Sequence, residues 1–288
     1  MVRLDWQLIE ADHYLHPQCA VRQGGSWRSC EFPALAALLR HPQRGLVLFD
    51  TGYSEAFFAA TDRFPERLYC WVTPVRLAPG QSVRAQLQQR GIAAAQIGLV
   101  VLSHLHGDHV GGVLDFPGVP LLCSRAAWQD QAARGRLRAP QVGLLPALTR
   151  DAAPRMGWLE SLPAVDLPRP FDAFGVGRDV LGDRSLLAVP LPGHAVGQHG
   201  LLFHAEDGRP VFLVADAAWS SAAVREGVPP PRLVTALLGS TGAYRQTLQR
   251  LQRAGRAVDD LQLVPAHCAE WRPHRHGPGC AGGGHAHG

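Results

Sequence analysis

The chain predicts an α/β domain built on mixed sheets. Three observations carry that expectation. Apolar strand-like runs are interleaved with helical ones without a strict βαβ period. Hydrophobic residues make up 46% of the 288 positions, ample for a packed core. Several strand-like runs end directly in a histidine or an aspartate, which is where α/β folds place their sites.

The elements follow in order. The pattern predicts a β-hairpin from Ala34 to His41 and Gly45 to Asp50, joined by Pro42-Gln43-Arg44, with Asp50-Thr51-Gly52 turning at its end. Residues 53 to 80 read as irregular and aromatic-rich, with Tyr53, Phe57, Phe58, Phe64, Tyr69 and Trp71. Ser82 to Arg90 reads as a helix with Ser82 as N-cap and Gly91 just past its end. The apolar run up to Leu102 predicts a buried strand, Val119 to Cys123 a short one, and Arg125 to Arg134 a helix. Residues 135 to 180 carry Pro and Arg with weak periodicity and read as a lid-like insertion covering the site. Strands are expected at Ser185 to Leu191, Gly200 to His204 and Val211 to Ala215, an amphipathic helix from Tyr244 to Ala254, and a last strand from Leu261 to Val264. A single domain over 1–270 is expected, followed by a His- and Gly-rich tail over 271–288 read as disordered.

Composition excludes several function classes. The net charge of +4 is too mild to argue for nucleic acid. All basic residues are Arg, which removes Lys Schiff-base chemistry and the P-loop lysine. Arg245, Arg250, Arg253 and Arg256 line one predicted helix and read as its solvated face. The six cysteines are scattered without a Cys-x-x-Cys pair, so neither a zinc ribbon nor a disulfide framework is indicated. The first residues lack the apolar core of a signal peptide, and no run approaches a membrane span. The expectation is a cytoplasmic protein with a small-molecule substrate and no nucleic-acid or membrane partner. A homodimer stays open.

The most informative stretch is Ser103-His104-Leu105-His106-Gly107-Asp108-His109, directly after the apolar run to Leu102. A regular strand would send these side chains to opposite faces and a helix would spread them around a cylinder. A tight turn can gather them around one or two ions instead, with Gly107, Gly111 and Gly112 letting the loop bend. Imidazole plus carboxylate without thiolate suits zinc or another divalent ion in a catalytic role. The competing reading is a solvated His-rich loop. Against it stand further candidates at other strand ends: His194 in Pro-Gly-His-Ala-Val-Gly, Asp216 after Val211 to Ala215, and His267 after Leu263-Val-Pro-Ala.

On these residues the chain resembles the metallo-β-lactamase superfamily over roughly residues 30 to 270, with Asp50 in Leu-Phe-Asp-Thr-Gly as a further match. The resemblance implies an αββα sandwich of two mixed β-sheets flanked by helices, with metals at one edge. It implies two sites, His104, His106 and His194 holding one ion, and Asp108, His109 and His267 the other. Asp216 would bridge the ions, and Asp50 would lie behind the ligands and orient one of them. Two Zn²⁺ are the expected cofactors, with Fe, Mn or Co as other divalent candidates. Zinc lowers the pKa of bound water to about 7, so a hydroxide shared by two ions can attack a carbonyl or phosphoryl centre at neutral pH. Asp108 would be the catalytic residue that orients it and delivers a proton to the leaving group.

Among the branches, the chain looks most like the N-acyl-homoserine lactone hydrolases, on Arg40-His41-Pro42 with Leu48-Phe49-Asp50-Thr51-Gly52, the ligand set, and Asp216-Ala-Ala-Trp219. That family usually carries a Tyr three residues after the bridging Asp, where it contacts the lactone. Trp219 has an N–H donor but no hydroxyl, which predicts a changed pocket. Trp219, Phe57, Phe64 and Trp71 are the candidate substrate-binding residues. The reading is a lactone or carboxylic ester hydrolase of the quorum-quenching kind. The alternatives are a phosphodiester, organophosphate or thioester hydrolase, an iron-dependent persulfide dioxygenase, and a non-catalytic ligand-binding regulator.

Overall fold

Residue alternation along the strands sorts the chain into layers. The computed structural model describes residues 2–273. Strands β1 (Asp5–Pro17), β2 (Ser29–His41), β3 (Gly45–Phe49), β4 (Val75–Arg76), β5 (Ile97–Val101), β6 (Leu121–Cys123) and β7 (Met156–Trp158) form a seven-stranded sheet in the order β4-β1-β2-β3-β5-β6-β7. Strands β8 (Ala164–Asp166), β9 (Val176–Asp179), β10 (Leu186–Pro190), β11 (His199–His204), β12 (Pro210–Ala215) and β13 (Gln262–Pro265) form a six-stranded sheet in the order β13-β12-β11-β10-β9-β8. Both sheets are mixed: β3, β5, β6 and β7 run parallel, as do β12 and β13, and the remaining pairs are antiparallel.

One face of each sheet meets the other sheet. Ala37, Leu39, Val47, Phe49 and Val101 interlock with Leu186, Ala188, Leu201, Phe203, Val211 and Leu213. The alternate residues point outward under helices. Leu38, Leu46, Leu48 and Val100 back onto Phe57, Leu87 and Leu148, and Leu187, Val189, Phe212 and Val214 onto Tyr244, Leu248 and Leu251. Burial on both faces is why these strands read as unbroken apolar runs. The result is the expected αββα sandwich.

The Ser82-capped helix and the strands from β10 to β13 lie where the pattern placed them, within a residue or two at the ends, and the hairpin does too except that its first strand begins five residues earlier, at Ser29. Three regions differ. Strand β1 was not legible, because a register shift between Glu10 and His13 and a positive φ at Asp12 break its period. Residues 53–80, read as irregular, contain the helices Glu55–Ala60 and Arg67–Val72 and strand β4. Helices this short carry little intrinsic signal and depend on packing. Phe57 supplies it, fully buried between Tyr53 at 4.8 Å and Tyr69 at 5.4 Å. Phe57→Ala is therefore expected to cost about 3–5 kcal/mol of stability, measured by denaturant unfolding. Residues 156–179 of the segment read as an insertion supply β7, β8 and β9 to the two sheets, and only residues 137–143 border the cavity described below. Their strands are three or four residues long, at or next to sheet edges, too short to show a period.

Trp271 and Arg272 are anchored rather than part of a tail. Arg272 pairs with Glu10 and Glu31, and the Trp271 indole donates to Ser221 Oγ. The rest of the expected tail, 274–288, lies outside the described residues. Among the described residues, no helix is long and apolar enough to cross a membrane.

Candidate metal centre

The ends of five elements converge at one edge of the sandwich. Asp50 follows β3, the 103–109 loop follows β5, His194 lies between β10 and β11, Asp216 follows β12 and His267 follows β13. Two of these junctions carry backbone strain. Asp50 sits at φ 59° and Ala215 at φ 46°, which non-glycine residues adopt at a cost of about 1–3 kcal/mol each. The strain at Ala215, with the register shift beside it in the β12–β13 pair, turns Asp216 out of the strand.

Seven side chains meet there, all buried. His104, His106 and His194 offer one cluster of ligand atoms, and Asp108, His109, Asp216 and His267 a second, each within 4.8 Å of one another. Asp216 faces both: its Oδ2 lies 3.3 Å from His194 Nε2, and its Oδ1 lies 3.2 Å from both His109 Nε2 and His267 Nε2. Asp108 Oδ2 is 3.1 Å from His267 Nε2.

Partners behind the ligands set their tautomers. Asp50 accepts from His109 Nδ1 at 2.8 Å and from the Ser103 backbone N–H at 2.7 Å. His267 Nδ1 donates to the Pro33 carbonyl at 2.7 Å. Both imidazoles thus aim Nε2 into the centre.

The donor set fits divalent cations. His104 Nε2, His109 Nε2, His267 Nε2 and Asp216 Oδ1 are buried without a hydrogen-bond partner, a group that would be costly to leave together unless a cation satisfied it. Electrostatics divides the histidines. Burial, then the neighbouring imidazoles, pushes His106 down to about 3 and His194, where burial dominates, down to about 4, so both present lone pairs. Burial opposes charge on His109 and His267 as well, but the surrounding carboxylates outweigh it and raise both, His267 to about 10. The carboxylates demand positive charge here, from protons or from metal. Asp108 is held below the usual carboxylate range, because His109 and His267 outweigh its burial.

The loop glycines act differently from the expected bend. None of Gly107, Gly111 and Gly112 has a positive φ. Close approach explains them: a Cβ on Gly112 would lie 2.7 Å from the Thr51 carbonyl oxygen.

A cavity of about 570 Å³ opens over the centre, with His106, Asp108, His194 and Asp216 at its floor. Trp219 lines it. Phe57, Phe64 and Trp71 do not. Phe57 is core, while Phe64 and Trp71 stand 66% and 69% exposed outside the wall. The walls come instead from Tyr14, Leu68, Tyr69, Val72, Leu137 and Leu237. Leu68 and Val72 are four apart on one helix, a spacing that would have signalled a shared face. Tyr14 had no such signal, since β1 was hidden.

Comparison with known proteins agrees with this geometry. A sequence model of the metallo-beta-lactamase superfamily matches residues 31–267. The N-acyl homoserine lactonase AiiB of Agrobacterium fabrum is 28% identical over 258 residues, covering 88% of this chain and 85% of that protein. The N-acyl homoserine lactonase AttM of Azorhizobium caulinodans is 27% identical, with 88% and 89% covered. A solved N-acyl homoserine lactone hydrolase, with N-hexanoyl-L-homoserine bound at its catalytic metal centre, superposes with a TM-score of 0.71 at 18% identity, covering 94% of this chain and 95% of that one.

Proposed function

The chain belongs to the metallo-beta-lactamase superfamily as a metal-dependent hydrolase, and we propose that it is a dinuclear zinc enzyme opening a lactone or another carboxylic ester bond. The observation that carries this reading is the cavity. Its floor is the His/Asp centre, and its walls are dominated by apolar side chains such as Leu68, Val72, Leu137 and Leu237. Such a site suits a neutral substrate with a polar reacting group and an apolar body. The match to two N-acyl homoserine lactonases over 85% and 89% of their lengths supports the same class.

His104, His106 and His194 would hold one ion, and Asp108, His109 and His267 the second, with Asp216 presenting one oxygen to each. When bound, the two ions supply Lewis acidity for the carbonyl and a water nucleophile at neutral pH. The chain does the rest. Asp50 holds His109 through Nδ1 and keeps Nε2 aimed inward. Asp108, ionised at neutral pH, accepts a proton from the attacking water and returns one to the leaving oxygen. Burial of the floor excludes bulk water and strengthens each of these interactions.

The test is acid release from a series of acyl-homoserine lactones of increasing chain length, with zinc-loaded protein and a chelated control. Metal-dependent ring opening that varies with chain length is expected. Absence of release from protein carrying two metal ions would overturn the lactone reading and direct attention to aryl phosphoesters and thioesters.

A further inference from the structure

We propose that Tyr14 contacts the substrate, donating its phenolic hydrogen to the oxygen of the scissile carbonyl, and that Trp219 is a positioning residue which holds the shared carboxylate Asp216. This rests on the ester-hydrolase reading above.

Two observations carry it. The first is what Trp219 does with its only donor. Its indole Nε1 donates to Asp216 Oδ2 at 2.9 Å, and its ring stands edge-on to His194 at 5.6 Å. Oδ2 is the oxygen nearer His194, so the indole fixes how the carboxylate divides its two oxygens between the clusters. A Trp has one N–H and no acceptor. Once that hydrogen is committed to Asp216, position 219 has no polar contact left for a substrate.

The second is an idle hydroxyl across the floor. Tyr14 lines the cavity together with Asp108, Asp216 and Trp219 and is only 6% exposed. Its hydroxyl has no hydrogen-bond partner among the described residues. Its ring lies edge-on to His267 at 5.0 Å, which places it beside the second cluster. The ring is held firmly: it stacks on Phe32 at 5.4 Å and meets His16 edge-on at 6.0 Å. An ordinary phenol titrates near 10, so at neutral pH it carries its hydrogen and can donate it. A rigid phenol on the cavity wall, with no hydrogen bond to a described residue, is preorganised for an oxygen brought by a ligand. The developing charge on a carbonyl oxygen at the floor is the acceptor it suits best.

The experiment uses the full chain loaded with metal, assayed on N-hexanoyl-L-homoserine lactone and on a panel of simple lactones and esters. Wild-type protein inactive on all of them would overturn the ester-hydrolase reading itself. With an active wild type, Tyr14→Phe is expected to lower kcat by about 10- to 100-fold, the worth of one hydrogen bond to a developing charge. Melting temperature and bound metal should stay unchanged. Trp219→Phe should instead weaken metal binding by about tenfold in a calorimetric titration. The double variant Tyr14→Phe, Trp219→Tyr, which moves the phenol across the floor, should recover part of the lost kcat. A Tyr14→Phe enzyme within twofold of wild type, or one that loses metal along with activity, overturns the role of Tyr14. Undiminished metal affinity in Trp219→Phe overturns the role of Trp219.

Discussion

Asp108→Asn is expected to lower kcat by about 10²- to 10⁴-fold while the protein stays folded and the metal stays bound, because it removes the carboxylate at the cavity floor proposed to carry a proton. Asp216, the other carboxylate there, is held by Trp219 and by three imidazoles. Asp108 contacts His267 Nε2 at 3.1 Å and His109 Nε2 at 3.7 Å and still borders the cavity. Asn keeps the shape and one ligand oxygen but cannot accept a proton at neutral pH. The measurement is kcat together with metal content by elemental analysis and the pH–rate profile. Loss of the acidic limb of that profile, at full metal content, is the expected signature. Undiminished turnover would remove Asp108 from the chemistry, and loss of one metal ion would reduce its role to ligation.

Gly193→Ala is expected to be the most damaging single methyl that can be added near the site. Gly193 sits at φ +140°, a region that L residues rarely adopt, immediately before His194. A Cβ there would lie 2.3 Å from both the Cα and the N of Tyr244, backbone atoms at the start of the helix Thr241–Ala257. No rotamer change can relieve a clash with backbone. The helix must move, and its buried residues Tyr244, Leu248 and Leu251 form the outer core of the six-stranded sheet. We expect a loss of at least about 4 kcal/mol, or on the order of 10 °C in melting temperature, with weakened metal binding through a displaced His194. Gly242→Ala is the control on the same helix. Nothing lies within 4 Å of its added Cβ, and it should be neutral or stabilising by about 0.5–1 kcal/mol. Equal melting temperatures for the two variants would refute the packing argument.

Most of the clustered histidines and aspartates were legible because they follow soon after an apolar strand. Val100, Val101 and Leu102 announce the loop at 103–109, Val211 to Ala215 announce Asp216, and Leu263 to Ala266 announce His267. An unbroken apolar run that stops at a polar residue marks both an element and its end. The walls of the cavity were not legible for the opposite reason. Phe64 and Trp71 look like pocket residues by composition, yet each is turned to solvent by a helix only six residues long or the turn before it. Which face of so short an element points inward is settled by its neighbours, and no period is long enough to reveal it.

The sequence by itself determined the sandwich and the buried histidines and aspartates that gather at its edge; that Asp50 bonds to His109 came from the structure. The first two depend on local order along the chain: strand, turn, ligand. Only the tertiary structure decided what faces the reacting group. Tyr14 reaches the cavity wall from a strand broken by a bulge, and Asp216 takes the single N–H of Trp219. Both are contacts between residues distant in sequence or across a turn, set by how two sheets and their edges close on one another. A hydrogen bond of 2.9 Å between Trp219 and Asp216 leaves no trace in composition or spacing, yet it determines which side chain still has a donor to offer a substrate.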